Sequence, residues 1–265
     1  MTSSFTTGKV QKLVMLNKRK RILILGGTGE ARSLATYAVE TLPNNVEIIS
    51  SYAGRTVRMK EPPGTIREGG FGGTEGLKNF IRSGSIDLLI DATHPFATSI
   101  SKHAAMASEA TKCPRLILQR PGWALPLEAR VINVNSMTDA AHWLKGCTQR
   151  VFLSTGSQEL QAFSDLKNTW FLVRLITKPE IPLPLTKYKL VTDRPPFQKQ
   201  AELTLLQENN IEYLVSKDSG GPVPAKIWAA TALDIPIILI RQPDLPTGSK
   251  TNDISEALAW IQERL

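Results

Sequence analysis

The chain has 265 residues, 42% hydrophobic and 21% charged, enough for one large or two small domains with cores of their own. No apolar run approaches the roughly 18 residues of a membrane-spanning helix, and the two cysteines, Cys113 and Cys147, form no CxxC and have no histidine at zinc-site spacing, so no metal site is expected. The net charge of +8 does not mark a nucleic-acid binder, because six of the 32 basic residues (Lys9, Lys12, Lys18, Arg19, Lys20 and Arg21) precede the first acid, Glu30, and leave 26 basic against 24 acidic residues.

Residues 1–19 are rich in Ser and Thr and contain no apolar stretch of signal-peptide length. They read as an extension outside the compact fold: a disordered tail, a start placed upstream of Met15, or a transit peptide. Two reduced, partly buried thiols fit a cytoplasmic protein. From Arg21 the pattern becomes regular. Arg21 to Leu25 (RILIL) is a short apolar run, as expected of a strand buried on both faces. Gly26, Gly27, Thr28, Gly29 and Glu30 follow, and apolar residues then recur at helical spacing to Glu40.

A strand running through glycines into a helix presents backbone N–H groups where a phosphate can sit. The match to GxGxxG is incomplete, since Arg32 occupies the third place. The second strand, Val46 to Ser50, ends without the acid that usually receives ribose hydroxyls in NAD-binding domains. Ser51 and Arg55 stand there instead, and a guanidinium suits a 2′-phosphate, which favours NADPH. Five glycines between Gly69 and Gly76 make either a cover over a ligand or a complex turn. Leu77 to Arg82 reads as helix and Asp87 to Ile90 as strand. Asp91, Thr93 and His94 follow at the carboxyl end of that strand, where open α/β sheets bind ligands. His94 is a candidate to move a proton and Thr93 to touch the cofactor.

A helix over 100–110 and a strand over 115–118 complete a first unit of alternating strands and helices. Pro121, Gly122, Trp123 and Pro126 read as a linker. A strand at 131–134, a helix at 137–144 and a strand at 151–153 come next. Arg150 to Phe163 repeats the pattern of Arg21 to Leu34: apolar strand, small polar turn (Ser154, Thr155, Gly156), helix. Strands at 170–175, 213–216 and 235–240 and helices at 197–209, 225–233 and 253–265 are expected, with a proline-rich loop over 178–196. Lys217, Ser219, Gly220 and Gly221 stand at a second glycine-bearing strand end, with Lys226 beyond, and can hold carboxylates or phosphate. The expected architecture is α/β, two Rossmann-like parallel-sheet domains with a ligand cleft between them. The boundaries drawn are 20–130 for an NADPH-binding domain and 131–265 for the second.

The runs GGTGEA (Gly26–Ala31), SYAGRT (Ser51–Thr56), GGFGG (Gly69–Gly73), DATHPFA (Asp91–Ala97) and KDSGG (Lys217–Gly221) with Ala225 and Lys226 together resemble the precorrin-6A reductase family over about Arg21 to Arg241. The resemblance implies hydride transfer from NADPH to a double bond of precorrin-6A, or of its cobalt form, in cobalamin biosynthesis. It also implies cofactor binding between two α/β domains. The tetrapyrrole-derived substrate carries acetate and propionate groups, which suit Ser154, Thr155, Gly156, Lys217, Ser219, Gly220, Gly221 and Lys226. His94 and then Lys217 are the candidate proton donors. Two other readings stand beside this one: an NADP(H)-binding sensor and a reductase of another small molecule. No nucleic-acid or membrane partner is expected, and oligomeric state is not legible.

Overall fold

The computed structural model describes residues 19–52, 62–146 and 149–265, so the extension before Arg19, and with it Arg55 and Cys147, lies outside the described residues. The described residues form two compact units, one of residues up to Arg120 together with 244–265, the other of residues 121–243.

The first unit contains β1 (Lys20–Leu25), α1 (Gly29–Thr41), β2 (Val46–Tyr52), β3 (Thr65–Glu68), α2 (Gly73–Ser83), β4 (Leu88–Asp91), α3 (Thr98–Thr111) and β5 (Arg115–Leu118). The second contains β6 (Val131–Val134), α4 (Met137–Trp143), β7 (Arg150–Leu153), a 3-10 turn (Leu160–Phe163), β8 (Trp170–Leu175), β9 (Tyr188–Thr192), α5 (Lys199–Glu208), β10 (Tyr213–Lys217), α6 (Ala225–Ala232) and β11 (Ile237–Ile240). The chain then returns to the first unit with β12 (Ser249–Thr251) and α7 (Ile254–Gln262).

Each unit holds a six-stranded sheet, β12-β5-β4-β1-β2-β3 and β6-β11-β10-β7-β8-β9, and every strand pair is parallel. Both orders are doubly wound. Strands run outward from β1 one way and from β4 the other, and likewise from β7 and β10, so each sheet has one switch point. The two sixth strands are exchanged along the chain: β5 leads into β6 of the second sheet, and β11 leads into β12 of the first.

Burial on both faces explains the short apolar strands. In β1, Ile22 and Ile24 pack with Leu34, Ala38, Ala257 and Ile261 of α1 and α7. Leu23 and Leu25 point the other way, toward Leu77, Ile81, Ala104 and Ala107 of α2 and α3. Cys113 belongs to this second layer. Burial, with Asp87 adding to it, pushes its thiol up to about 12. Native protein at pH 8 should therefore leave the Cys113 peptide unalkylated by iodoacetamide, and denatured protein should not, as peptide mass spectrometry would show. Rapid native labelling would contradict that burial.

The expected boundaries at 130 and over 131–265 are corrected. The second unit begins at Pro121, because Gly221 N–H donates to Pro121 O (3.1 Å) and Trp123 Nε1–H to Gly220 O (2.9 Å). The segment from Asp244 belongs to the first unit, because β12 extends the sheet beside β5 and Ala257 and Ile261 fill the core over α1. The helix expected after β7 is a 3-10 turn: its buried residues, Leu160 and Phe163, are three apart, and the N–H groups of Leu160, Ala162 and Ser164 each donate to the third residue back. The proline-rich stretch contains β9, an edge strand.

Candidate functional site

The glycine run after β1 and the DATHPFA run after β4 flank the first switch point. Gly26 N–H donates to Ser51 O (2.9 Å) and Ala92 N–H to Leu25 O (3.0 Å), which continue the strand ladders to the crevice edge. Thr28 caps α1, its Oγ1 accepting from Ala31 N–H (3.1 Å) and donating to Ala92 O (2.8 Å), so one hydroxyl ties both lips together. Gly27 has φ +113°, a conformation glycine adopts without strain. A Cβ at Gly29, the first helical residue, would meet no atom of the described residues within 4 Å, so the side of the first turn of α1 is open there. Glu30, assigned to the cofactor from sequence, pairs with Arg120 at 3.2 Å.

On the other lip, Asp91 is 2% exposed. Its Oδ1 accepts from Thr93 N–H (3.3 Å) and Thr93 Oγ1–H (2.7 Å), and its Oδ2 has no hydrogen-bond partner. Thr93 therefore has both of its hydrogens turned to Asp91, leaving its hydroxyl oxygen as an acceptor, with Ser101 Oγ 3.3 Å away. His94 is half-buried, and its Nδ1 accepts from Phe96 N–H (3.2 Å), which places the proton of the neutral ring on Nε2.

Beside β1, Ser51 is buried at the end of β2, and its Oγ accepts from Arg67 Nη1 (3.1 Å) across the β2–β3 register. Sequence reasoning missed Arg67, because β3 is a polar edge strand with no apolar run to announce it.

The second switch point lies between β7 and β10. Ser154 N–H donates to Val215 O (3.3 Å), and Ser154 Oγ accepts from Lys226 Nζ (2.8 Å). Thr155 Oγ1 is buried without a hydrogen-bond partner. Gly156, at φ +90°, has open space where a Cβ would be. Lys217 pairs with Glu159, an acid the sequence reading did not single out. Asp218 organises the turn: its Oδ1 accepts from Gly220 N–H (3.1 Å) and Trp123 N–H (3.0 Å). A Cβ at Gly122 would come within 2.6 Å of Asp218 Oδ2, so the stretch read as a linker is part of this turn. The Gly220 and Gly221 N–H groups, expected to receive an anion, are instead taken up by Asp218 and by Pro121 O. Ser219 is half-buried in this same turn, between Asp218 and Gly220.

Lys226 is the lysine of this site with a shifted acidity. Burial pushes its ammonium down to about 7; Arg174 pushes the same way and Glu202 opposes. Arg174 and Glu202 form a buried ion pair through both carboxylate oxygens, with the Arg174 guanidinium stacked on Phe197 at 3.8 Å. The Lys226 ammonium also lies 5.7 Å from the Trp123 ring centroid.

Two surface cavities, of about 440 Å³ beside Arg115 and Ser249 and about 280 Å³ beside Arg130 and Tyr213, lie at the amino ends of strands and away from both switch points. Among the described residues no three His, Cys, Asp or Glu side chains gather as metal ligands, and no helix is long and apolar enough to cross a membrane.

Two doubly wound parallel sheets, one with a glycine-rich turn between strand and helix at its switch point, define a Rossmann-like α/β protein. Residues 21–262 match the family model described as "Precorrin-6x reductase CbiJ/CobK", and the chain belongs to that family. It is thus an oxidoreductase of cobalamin biosynthesis, as the sequence resemblance implied. It is 42% identical over 243 residues to the precorrin-6A reductase of Rhodococcus erythropolis, covering 91% of this chain and 97% of that protein. To the cobalt-precorrin-6A reductase of Priestia megaterium it is 26% identical, over 89% of this chain and 96% of that one. A solved structure of "CobK precorrin-6A reductase" superposes with a TM-score of 0.84 at 35% identity, covering 92% of this chain and 97% of that one.

Proposed function

We propose that this reductase uses NADPH, held at the first switch point, to reduce metal-free precorrin-6A, whose carboxylates are received at the second. The observation that carries the cofactor assignment is the open space before α1 at Gly29, beneath the lip fixed by Thr28. A pyrophosphate fits there, since backbone N–H groups at a helix amino end favour an anion and a Cβ at Gly29 would meet none of the described residues. Gly26, Gly27, Thr28 and Gly29 hold the pyrophosphate in this reading. Ser51 and Arg55 serve the adenosine half, and Thr93 meets the cofactor as an acceptor. Glu30 acts through its pair with Arg120, steadying the first turn of α1. The bound cofactor supplies the hydride.

Identity of 42% to a relative named for the metal-free substrate, against 26% to one named for the cobalt form, supports the metal-free choice. Thr155 and Lys226, with Ser154, Gly156, Lys217 and Ser219 around them, receive the carboxylates. The unpartnered Thr155 hydroxyl gains an acceptor that way, and the desolvated Lys226 ammonium gains a counter-charge. Gly220 and Gly221 shape the turn through their hydrogen bonds to Asp218 and Pro121. A proton must accompany the hydride, and His94 is assigned as its source. Lys217, held by Glu159, is left to binding.

The assay is NADPH oxidation followed by absorbance with precorrin-6A, with cobalt-precorrin-6A and NADH in parallel. Oxidation that is fastest with NADPH and metal-free substrate is expected. Faster turnover of the cobalt form, or equal use of NADH, would contradict the corresponding half of the reading.

Lys226 adds a pH dependence. A carboxylate favours the ammonium form, so binding raises the lysine's pKa above its free value of about 7. Above neutrality each binding event must then take up a proton, and the KM for the macrocycle should rise with pH. In Lys226→Met that rise should vanish and KM should be high at every pH. A pH-dependent KM persisting in the variant would remove Lys226 from the carboxylate site.

A further inference from the structure

Arg67 is a half-buried cation that pairs with no acid among the described residues. Its Nη1 donates to Ser51 Oγ (3.1 Å) and to Gly69 O, and its Nη2 donates to Gly70 O (2.9 Å). Its guanidinium lies 3.7 Å from the Phe71 ring centroid and 5.2 Å from that of Phe80. Every one of these partners is neutral. Among the described residues no carboxylate pairs with it, and desolvation alone lowers its pKa. Of the five guanidinium N–H groups, Nε–H and one Nη2–H have no protein acceptor among the described residues. A half-buried charge with no carboxylate beside it among the described residues, and with donors to spare, is stabilised by an anion that reaches it.

Its place in the sheet says which anion. The cradle sits at β1, and the strand order continues β1-β2-β3. In a doubly wound sheet the adenosine half of a dinucleotide runs from the pyrophosphate toward the end of the second strand, where its 2′-oxygen meets a side chain. Ser51 lies one residue before the end of that strand, an end where the strand itself carries no acid, and Arg67 is its registered neighbour on β3. The same guanidinium fixes the glycine loop through Gly69 and Gly70. Where the loop meets α2 the packing is close: a Cβ at Gly76, in the first turn of that helix, would lie 1.6 Å from Phe71 O.

We propose that Arg67 is a specificity-determining residue of this reductase, receiving the 2′-phosphate of the cofactor together with Ser51. The inference rests on the NADPH reading above and deepens it. Arg67 discriminates between the phosphorylated and unphosphorylated cofactors.

The test is equilibrium binding of 2′,5′-ADP and 5′-ADP to wild type, Arg67→Ala and Arg67→Lys, with thermal melting to establish folding. Wild type should prefer 2′,5′-ADP. Arg67→Ala should lose about 10- to 100-fold of that preference, as expected for hydrogen bonds to a charged group, while its affinity for 5′-ADP changes little. Arg67→Lys keeps the charge without the planar fork and should fall between the two. If wild type binds both nucleotides alike, the NADPH reading itself fails. If wild type prefers 2′,5′-ADP and either folded variant keeps the full preference, or loses both nucleotides equally, the Arg67 assignment is overturned and the NADPH reading stands.

Discussion

Glu202→Ala is expected to destabilise the second unit by about 3–5 kcal/mol, the usual result of removing one partner of a buried ion pair. Glu202 is 2% exposed and Arg174 8%, so the change leaves a guanidinium out of water with its two charge-assisted bonds gone. Stacking on Phe197 cannot neutralise it. The effect reaches the site as well. Glu202 raises the Lys226 pKa against the desolvation that lowers it, so its removal drives that pKa further down and empties the ammonium form at neutral pH. Denaturant unfolding followed by tryptophan fluorescence reads the stability, since Trp123, Trp143, Trp170 and Trp228 all lie in the second unit. A loss below about 1 kcal/mol would mean that the pair is open to water and that its coupling to Lys226 is weak.

Gly29→Asp should remove NADPH binding while leaving the fold intact. The added Cβ meets nothing within 4 Å, and an acid in the first turn of α1 is favourable to the helix. A carboxylate there nevertheless occupies the approach to the cradle and opposes the pyrophosphate. Juxtaposed like charges cost several kcal/mol, on the order of a hundredfold or more in affinity. Titration by NADPH fluorescence, beside a melting curve matching wild type, checks both halves. Unchanged affinity would place the pyrophosphate somewhere else.

The parts of the structure legible in the sequence are those where local pattern and burial agree. RILIL, LLID and IILI are central strands covered on both faces, and their apolar runs announce them. The glycine turns after β1 and β10 and the DATHPFA run were visible for the same reason, since each interrupts a strong pattern at a strand end. The three missed strands, β3, β9 and β12, are all at sheet edges, where the exposed side chains are polar. Missing β3 meant missing Arg67.

The exchanged sixth strands were illegible for a different reason. The helical pattern says that α7 exists as an element of some α/β unit, but nothing local announces β12 or says which sheet the pair joins. That is settled by Ala257 and Ile261 finding the open face over α1. The engagement of Lys217 by Glu159, the use of the Gly220 and Gly221 amides within their own turn, and the depressed Lys226 pKa depend on residues far apart in sequence. Sequence proximity drew attention to Lys217, whereas packing made Lys226 the lysine with the tuned charge.

The division of labour between the two switch points is the central claim, and steady-state kinetics of Gly29→Asp and Lys226→Met against wild type, with NADPH and precorrin-6A varied in turn, tests it most directly. Gly29→Asp should raise KM for NADPH with little change in KM for the macrocycle, and Lys226→Met should do the reverse. If both variants raise the same KM, or if the pattern is inverted, the assignment of cofactor to the first unit and macrocycle to the second is wrong.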